Sequence, residues 1–348
     1  MNPMHDGTTF SPKTILVYVG IDLMGDGLMK MPFVRALRRA FPDAKITWLA
    51  GKGQTSYAHR LRHLVTDLID EVIEDANIGS NLTELIGQRP LADRSFDLII
   101  DTQRRVLTTL ILRRIRHQRF ISGTVDFIFS SARPKRPYRK PRSMILQLLD
   151  LVSMAKHGRI DGTIDPSGSG IVLPAAVADT VRKIMPDKHR YIGIAPGAGT
   201  VDKSWPRERF EEVARYFFAQ GFIPAFILGP DETTWQAALQ AAVPGAIFPV
   251  ALADPEIRGT EPLLSIALAH ACSVCIANDS GNAHIFSVAG VPLVVLFGPT
   301  SPDKFAPPAK DMVLVRAIDF DSQTMNAIPT DAVIKAAEEL IARHTAAH

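Results

Sequence analysis

Two clusters of small and polar residues in the second half of the sequence could bind an anion. In the first, Ala277–His284, an apolar run gives way to Asp279, Ser280 and Gly281 just before a short apolar helix. Asp and Ser are favoured at helix N-caps, and the free N–H groups of a helix start, together with the helix dipole, attract anions. An ordinary strand-to-helix turn would have the same residues. The cluster alone therefore leaves phosphate binding and a plain turn both open.

The second cluster follows another apolar run, Ile192–Ala195. Pro196 and Gly197 open a loop of small residues, which reaches Lys203 before the next helix. Loops that follow parallel strands of one sheet lie along the same edge of that sheet. We therefore expect the lysine of this loop to meet the helix start of the first cluster, an arrangement that suits a diphosphate.

Carboxylates stand at two further strand ends. Asp26 follows the first predicted strand between Gly25 and Gly27, and this setting predicts an open turn that leaves the carboxylate accessible. A cap on the following helix is the alternative interpretation of Asp26. Asp231 and Glu232 follow a later strand, at a position where an acid can hydrogen-bond to ribose hydroxyls, and we assign that contact to Glu232.

Alternating β-like and helical segments position these residues. The strand-like segments of the first half are nearly continuously apolar, as expected for parallel strands covered on both faces, and helical spacing occurs between them. They are Lys13–Val19, Lys45–Leu49, Glu71–Ile73 and Phe96–Ile100. The alternation stops near the turn-rich segment Asp165–Gly170 and restarts with Tyr191–Ala195. This order predicts two doubly wound α/β domains joined by a linker.

The composition is that of a folded globular protein. The 348 residues are 46% hydrophobic and 22% charged, and the length allows two domains of ordinary size. No apolar run has the length of a membrane span, and Met1–Ser11 lacks the apolar core of a signal peptide, so we expect a cytoplasmic protein. Cys272 and Cys275 are spaced C-x-x-C but lie before and within a β-like run, which predicts buried structural thiols and no zinc site.

Together, these motifs resemble glycosyltransferase family 9, the lipopolysaccharide heptosyltransferases and their relatives. The resemblance covers nearly the whole chain, and the motifs occur in the family's order. It is carried by Met24-Gly25-Asp26, Phe41-Pro42-Asp43-Ala44, Pro196-Gly197-Ala198, Lys203-Ser204-Trp205-Pro206, Asn278-Asp279-Ser280-Gly281 with His284, and Phe297-Gly298-Pro299-Thr300. The resemblance implies the α/β GT-B architecture, in which two Rossmann-like doubly wound domains face a cleft.

The resemblance also implies a function for each domain. Residues 1–165 would bind the acceptor and residues 172–326 the nucleotide sugar, while residues 327–348 would form a helix that packs back toward the N-terminal domain. The implied reaction is an inverting, metal-independent transfer of a sugar, a heptose by this resemblance, from a nucleotide-diphosphate donor such as ADP-heptose. The acceptor would be a hydroxyl of a lipopolysaccharide core or another envelope glycan, and no cofactor is implied. A non-catalytic protein that binds a nucleotide sugar or a polyanion on the same fold is the alternative.

Roles for individual residues follow from the same resemblance. Asp26 would be the general base that takes the proton of the acceptor hydroxyl, because a sugar hydroxyl is not ionised at neutral pH. Lys203 would offset the charge that develops on the departing diphosphate. The implied donor-binding residues are Pro196, Gly197, Thr200, Lys203, Glu232, Asp279, Ser280, Gly281 and His284.

A strongly basic stretch, Thr102–Leu149, contains twelve Lys or Arg and one acid, although the net charge of the whole chain is only +3. This asymmetry predicts an anionic partner for the first domain, with a solvated face as the plain alternative. Aromatic residues that could stack on bases are sparse here, so we expect no nucleic acid. We expect instead an anionic glycolipid acceptor at the inner face of the cytoplasmic membrane, contacted by Lys30, Arg104 and Arg105. Prolines interrupt the second basic cluster, Arg133–Arg142, and predict a surface loop there.

Other enzyme classes fit the sequence less well. The dinucleotide-binding pattern G-x-G-x-x-G needs a third glycine, which follows neither Gly25-Asp26-Gly27 nor Gly197-Ala198-Gly199, and no Walker sequence is present. Asp319-Phe320-Asp321 has the D-x-D spacing of the metal motif of another glycosyltransferase fold, but it follows the last strand of the second domain. We interpret it as a solvated loop. The sequence leaves the oligomeric state open.

Overall fold

The computed structural model describes residues 10–21, 24–162, 171 and 173–345. The chain divides into two compact units, Met1–Gly168 and Ser169–His348. This division falls in the segment that the sequence predicts as a linker, Asp165–Gly170, whose residues lie outside the described ones. Within the described ranges, no helix combines the length and the apolar character that crossing a membrane requires.

A five-stranded parallel sheet forms the centre of the first unit. Its strands are β1 Thr14–Val19, β2 Lys45–Ala50, β3 Glu71–Ile73, β4 Ser95–Asp101 and β5 Arg116–Ser122, in the spatial order β3-β2-β1-β4-β5. Its α-helices are α1 Met24–Ala40, α2 Arg62–Val65, α3 Val106–Leu112 and α4 Met144–His157. The strand order reverses between β1 and β4, so the loops after these two strands flank the position where doubly wound sheets bind ligands.

Aromatic packing fixes the start of α1 against the sheet. The rings of Phe33 on α1 and Trp48 on β2 lie 6.4 Å apart, and the ring of Tyr57 lies 4.8 Å from that of Trp48. The Tyr57 hydroxyl donates a hydrogen bond to the carbonyl of Gly27 at 2.7 Å. An added Cβ at Gly27 would lie 2.6 Å from Leu61 Cδ1, so a larger residue here would have to displace the Leu61 side chain. These contacts hold the first turn of α1 next to the end of β1.

The edge strand β5 is the one element of the first sheet that the sequence analysis did not predict. Most of its first four residues, Arg116–Arg119, are exposed, and only Phe120–Ser122 are buried. A strand that is basic and solvated over half its length lacks the apolar run that marks the interior strands. The second basic cluster, by contrast, contains no helix or strand, as its prolines predicted.

The second unit repeats the architecture of the first. Its strands are β6 Arg190–Ala195, β7 Phe222–Phe226, β8 Val274–Asn278, β9 Leu293–Phe297 and β10 Met312–Arg316, all parallel, in the order β10-β9-β8-β6-β7. Its α-helices are α5 Ala175–Ile184, α6 Arg207–Ala219, α7 Gln236–Ala242, α8 Pro249–Leu252, α9 Pro255–Arg258, α10 Leu263–His270, α11 Gly281–Ala289, α12 Pro302–Phe305 and α13 Thr330–Thr345. Because β6 and β8 are neighbours, the two anion-binding loops predicted from the sequence leave the sheet side by side.

The last helix belongs to the core of the second unit. α13 packs against α6 and against the strands β8, β9 and β10. Its residues Val333, Ala337 and Leu340 are fully or almost fully buried in that core. The expected packing of this helix toward the N-terminal domain stays a prediction.

Candidate functional site

One buried side chain joins the two predicted anion-binding loops. Asn278, the last residue of β8, is completely buried. Its Nδ2 donates to the carbonyl of Pro196 at 2.8 Å, and its Oδ1 accepts from the backbone N–H of Trp205 at 3.2 Å. A single amide therefore fixes both ends of the loop after β6 against the end of β8. Because all these partners are buried, the loops form one rigid edge.

Trp205 anchors the segment that carries the predicted lysine. Its side chain is fully buried, and its ring lies edge-on to the ring of Phe210 at 4.9 Å. Its indole Nε1 donates to the carbonyl of Ile328 at 3.1 Å. Two residues before this anchor, Lys203 ends a short 3₁₀ turn, Val201–Lys203. The lysine therefore starts from a fixed backbone although it lies on a loop.

The ammonium of Lys203 pairs with a carboxylate of the other loop. Lys203 Nζ lies 3.2 Å from Asp279 Oδ2, and the same oxygen accepts a hydrogen bond from Thr300 Oγ1 at 2.5 Å. The Asp279 side chain is 9% exposed, whereas that of Lys203 is 30% exposed. The buried carboxylate thus holds the lysine, and part of the lysine remains open to solvent. Three strand ends, those of β6, β8 and β9, contribute to this contact.

The helix α11 starts directly beside this ion pair. Ser280 is its N-cap, and its hydroxyl accepts from the backbone N–H of Asn282 at 3.3 Å. Gly281 is the first helical residue. The other N–H groups of the first turn have no partners within the helix, which is the general property of a helix N-terminus. They add donors and partial positive charge to the charge of Lys203.

His284 lies one turn further along α11 and is buried. Burial lowers its pKa from 6.5 to about 4, and the opposite effect of the Asp279 charge is smaller. The imidazole is therefore neutral at physiological pH. It can donate or accept one hydrogen bond but brings no positive charge to the site.

Glu232 reaches the loop after β6 from the next strand end. A Cβ at Gly197 would lie 2.7 Å from the carboxyl carbon of Glu232, and a Cβ at Gly229 would lie 2.7 Å from its Oε2. Two glycines thus make room for this carboxyl group. Its pKa is raised, mainly by burial and further by the neighbouring Asp231, which is itself exposed. The structure therefore brings Glu232, and not Asp231, onto the predicted site.

The remaining predicted residues of this loop differ in exposure. Pro196 and Gly197 are buried, whereas Thr200 is exposed and precedes the 3₁₀ turn without a side-chain capping bond. The cysteines are buried and unoxidised, as predicted. Sulfur atoms of both would lie within 3.1 Å of a Cβ at Gly193 on the neighbouring strand, and burial raises the pKa of Cys275. They are structural groups of the core.

In the first unit, the structure corrects the setting of Asp26. This residue does not lie in an open turn but in the first helical turn of α1. There the positive end of the helix dipole stabilises its negative charge. It is partly exposed, so the carboxylate remains accessible. Lys30, one turn later, is only 8% exposed. The predicted acceptor contact of Lys30 would thus involve little of its surface.

A buried carboxylate that sequence reasoning missed lies at the end of β4. Asp101 is completely buried and accepts hydrogen bonds from Thr109 Oγ1 at 2.6 Å, Ser122 Oγ at 2.9 Å and the backbone N–H of Gln103 at 2.8 Å. Burial raises its pKa to about 6, although these hydrogen bonds act in the opposite direction. The group ties the loop after β4 to α3 and β5.

The loop after β4 carries the two predicted acceptor-binding arginines. Arg104 Nη1 donates to the carbonyl of Gly123 at 3.1 Å, and Arg105 is exposed just before α3. Elsewhere, Asp319 forms a two-point ion pair with Arg316, at 2.6 and 3.0 Å, on the surface. Within residues 10–21, 24–162, 171 and 173–345, no group of three or more His, Cys, Asp or Glu side chains is placed to hold a metal ion.

Comparison with known proteins identifies the family of these motifs. A family model described as glycosyltransferase family 9 (heptosyltransferase) matches residues 87–328. Lipooligosaccharide heptosyltransferase 2 of Haemophilus influenzae is 30% identical over 158 residues, which are 42% of this chain and 44% of that relative. Lipopolysaccharide heptosyltransferase 3 of Escherichia coli is 22% identical over 92% of this chain and 97% of that relative. The chain thus spans less than half the length of the first of these relatives and nearly all of the second.

Solved structures show the same fold. A glycosyltransferase family 9 protein from Veillonella parvula superposes with a TM-score of 0.68 at 22% identity, over 97% of this chain and 99% of that one. The E. coli ADP-heptose lps heptosyltransferase II superposes with a TM-score of 0.65 at 19% identity, over 95% and 99% of the two chains. At such identities the likeness concerns the fold alone. It confirms the predicted GT-B class, with two doubly wound α/β units.

Proposed function

We propose that this chain, which belongs to glycosyltransferase family 9, transfers a sugar from a nucleotide-diphosphate donor to a hydroxyl of an envelope glycan. We propose further that the sugar is a heptose, that the acceptor is a lipopolysaccharide core or a similar glycan, and that transfer inverts the anomeric centre without a metal ion. The observation that carries the proposal is the pairing of Lys203 with Asp279 at the start of α11. The ammonium of Lys203 and the free N–H groups at the start of α11 lie together at the carboxyl ends of the strands of the second sheet.

In this proposal the second unit binds the nucleotide diphosphate. The diphosphate would lie at the N-terminus of α11, where backbone N–H groups of the Ser280–Gly281 turn donate to its oxygens. Lys203 would offset the negative charge that grows on the leaving diphosphate as the bond to the sugar breaks. Glu232, lodged between Gly197 and Gly229, would accept hydrogen bonds from ribose hydroxyls.

The first unit supplies a carboxylate for the acceptor. Asp26 would take the proton of the acceptor hydroxyl while the oxygen attacks the anomeric carbon. The bond from this carbon to the diphosphate oxygen then breaks, and the nucleoside diphosphate leaves with the electron pair. A single displacement of this kind inverts the anomeric configuration. The ammonium of Lys203 and the start of α11 would stabilise the leaving group in place of a divalent ion.

The names of relatives support the choice of donor and sugar. One similar structure is an ADP-heptose lps heptosyltransferase from E. coli, and the curated relatives are heptosyltransferases of lipopolysaccharide or lipooligosaccharide. We therefore propose ADP-heptose as the donor of this chain. The proposal is tested by incubating the protein with ADP-heptose and a heptose-deficient lipopolysaccharide core, with and without a chelator, and measuring ADP release together with the mass of the glycan.

Each result of this assay bears on a different part of the proposal. A heptose mass increase that persists with chelator supports heptose transfer and metal independence. Transfer that a chelator abolishes and magnesium restores would contradict metal independence and direct attention to Asp319 and Asp321. Tight ADP binding without any transfer or donor hydrolysis would favour the alternative, a non-catalytic nucleotide-sugar binding protein.

We also propose that the basic stretch holds the protein at an anionic membrane surface, in the cytoplasm. Each basic side chain near an anionic bilayer contributes about 1 kcal/mol, so a few acting together suffice for peripheral binding. Exposed Val125 and Ile128 belong to the same stretch of sequence and would be free to enter the headgroup region. Co-sedimentation with vesicles of anionic lipid is expected at low salt and is expected to fade at high salt. Equal binding to neutral vesicles would contradict this part of the proposal.

A further inference from the structure

A pocket in the first unit is lined mostly by residues of the basic stretch, and none of its residues takes part in the chemical step proposed above. Its volume is about 500 Å³, which is within the size range of small-molecule sites. Its lining combines a proline-rich segment with residues from α4 and from the turn after it. The lining includes Lys135, Tyr138, Arg139, Asp150, Arg159 and Ile160, and three prolines complete the wall.

The charges of the pocket favour an anion. Three cationic side chains, those of Lys135, Arg139 and Arg159, face one carboxylate, that of Asp150. Asp150 is already engaged, because Tyr138 donates its hydroxyl proton to Asp150 Oδ2 at 2.8 Å. Arg159 has a loose ion pair of 3.7 Å at its Nε, and 67% of its side chain stays exposed. Its terminal nitrogens and the two other cations therefore remain available to a ligand.

Arg104 adds a positive charge beside this pocket. It lies within hydrogen-bonding reach of Tyr138, and this contact and its charge lower the pKa of Tyr138, while its charge lowers that of Asp150, although burial outweighs these effects. Its Nη1 donates to the carbonyl of Gly123. Arg104 thus helps to hold Tyr138 and Asp150 in the wall of the pocket.

The shape of the lining indicates what carries the anion. The prolines Pro134, Pro137 and Pro141 provide rigid, apolar walls without N–H donors, which suit the C–H faces of a sugar ring. Tyr138, the one aromatic ring of the lining, is half-buried, packs against Phe127 at 5.4 Å and has its hydroxyl engaged with Asp150, so little of it is left to stack on a nucleobase. A cation is disfavoured by the three positive side chains. The observations therefore favour a charged saccharide over a nucleotide or a metal ion.

We infer that this pocket binds an oxyanion, a phosphate or a carboxylate, carried by a saccharide. That the saccharide is part of the acceptor glycan rests on the proposed function. Arg139, Lys135 and Arg159 would supply the charge-assisted contacts. The pocket would anchor the acceptor through a group remote from the hydroxyl that reacts.

The test measures ligand binding at the pocket itself, while the nucleotide site is saturated with ADP. The chain has five tyrosines, and labelling with 3-fluorotyrosine gives each a fluorine resonance, of which that of Tyr138 is assigned by Tyr138→Phe. Glucose 6-phosphate, glucuronate and glucose are then titrated separately. A saturable shift of the Tyr138 resonance by either anionic sugar, and none by glucose, supports the inference and tells phosphate from carboxylate.

Two variants make the result specific. Arg139→Gln is expected to weaken the binding of the anionic sugar about tenfold, the scale of one lost charge-assisted hydrogen bond. Lys140→Gln removes the neighbouring charge, which does not line the pocket, and is expected to leave binding unchanged. No shift with either anionic sugar, an equal shift with glucose, or equal losses in the two variants would overturn the inference. ADP affinity and heptose transfer are measured on the same samples. If both are intact while the pocket does not bind an anionic sugar, the inference about the pocket fails and the proposed function stands.

Discussion

Lys203 and Asp279 form an ion pair of 3.2 Å between loops that follow two different strands of the second sheet. The carboxylate is nearly buried and also accepts a hydrogen bond from Thr300. Asp279 was predicted as a donor-binding residue, and this geometry gives it a second role, because its charge holds the lysine beside the start of α11. Direct contact between Asp279 and a diphosphate would place two negative groups together, so we expect it to act through Lys203.

Lys203→Ala is expected to reduce sugar transfer by about 10²–10³, the usual scale for removing one group that stabilises developing charge. ADP binding should weaken as well, because the ground-state diphosphate loses the same contact. Transfer rates and ADP affinity provide the measurements, and thermal unfolding checks that the protein is intact. Lys335→Ala is the matched control, since this exposed lysine of the same unit lies on α13. Similar losses in both variants would show that only general surface charge matters.

Asn278→Asp is expected to disturb the donor loops without touching a ligand. The new carboxylate can still accept from Trp205 but faces the carbonyl of Pro196, to which the amide donated. We expect the free energy of unfolding to fall by about 1–3 kcal/mol, the cost of one broken buried hydrogen bond. The Kd for ADP should rise, because the two loops separate. Asn326→Asp, an exposed change in the same unit, serves as the control, and an unchanged ADP affinity in Asn278→Asp would rule out this positioning role.

The helix start at Ser280 and the meeting of the two loops were predicted correctly, and both predictions depend on local sequence. Ser280 and Gly281 indicate a helix start, and Pro196 and Gly197 indicate a tight loop. Because neighbouring parallel strands end at the same edge, two local signals were enough to expect that the loops would meet. The ion pair of Lys203 could not be predicted, since it depends on where a side chain points across 76 residues of sequence.

The missed carboxylate in the first unit shows what local signals lack. Asp101 and Ser122 are register partners on β4 and β5, and their hydrogen bond follows from that register. The edge strand β5 begins with exposed basic residues, so its pattern predicted a surface stretch instead of a strand. Without β5, nothing in the sequence placed a hydroxyl beside Asp101. The helical setting of Asp26 was missed because the glycines on both sides of it indicated an open turn, whereas α1 already begins at Met24.

Asp26→Asn is expected to lower the rate of transfer by about a hundredfold or more while leaving ADP affinity unchanged, the usual pattern for loss of a general base. The amide is nearly isosteric and remains compatible with the first turn of α1, so folding should be preserved. Single-turnover transfer rates and ADP titrations give the two quantities. Asp67→Asn, which neutralises an exposed carboxylate of the same unit, is the control. Transfer at the wild-type rate would show that Asp26 is not the general base and serves only to stabilise the start of α1.

Asp101 is expected to make the first unit less stable as the pH rises. Its folded-state pKa of about 6 lies above the ordinary value of 3.8, so between these values the folded protein holds a proton that the unfolded chain has released. The folded state therefore gains stability from this proton at low pH and loses it as the pH rises through about 6. A difference of roughly two pKa units corresponds to about 3 kcal/mol.

Asp101→Asn removes this titration, because the amide keeps the size of the carboxyl group and can pair with the hydroxyls of Thr109 and Ser122. The free energy of unfolding of the variant, relative to wild type, is therefore expected to increase with pH by up to about 3 kcal/mol across the window from about pH 4 to 6. Denaturant unfolding of both proteins at each pH measures this difference. Taking the difference cancels other groups, among them His284, whose lowered pKa makes the second unit less stable as the pH falls. A difference that stays constant with pH would mean that Asp101 is ionised in the folded protein throughout, and that its three hydrogen bonds outweigh the cost of its burial.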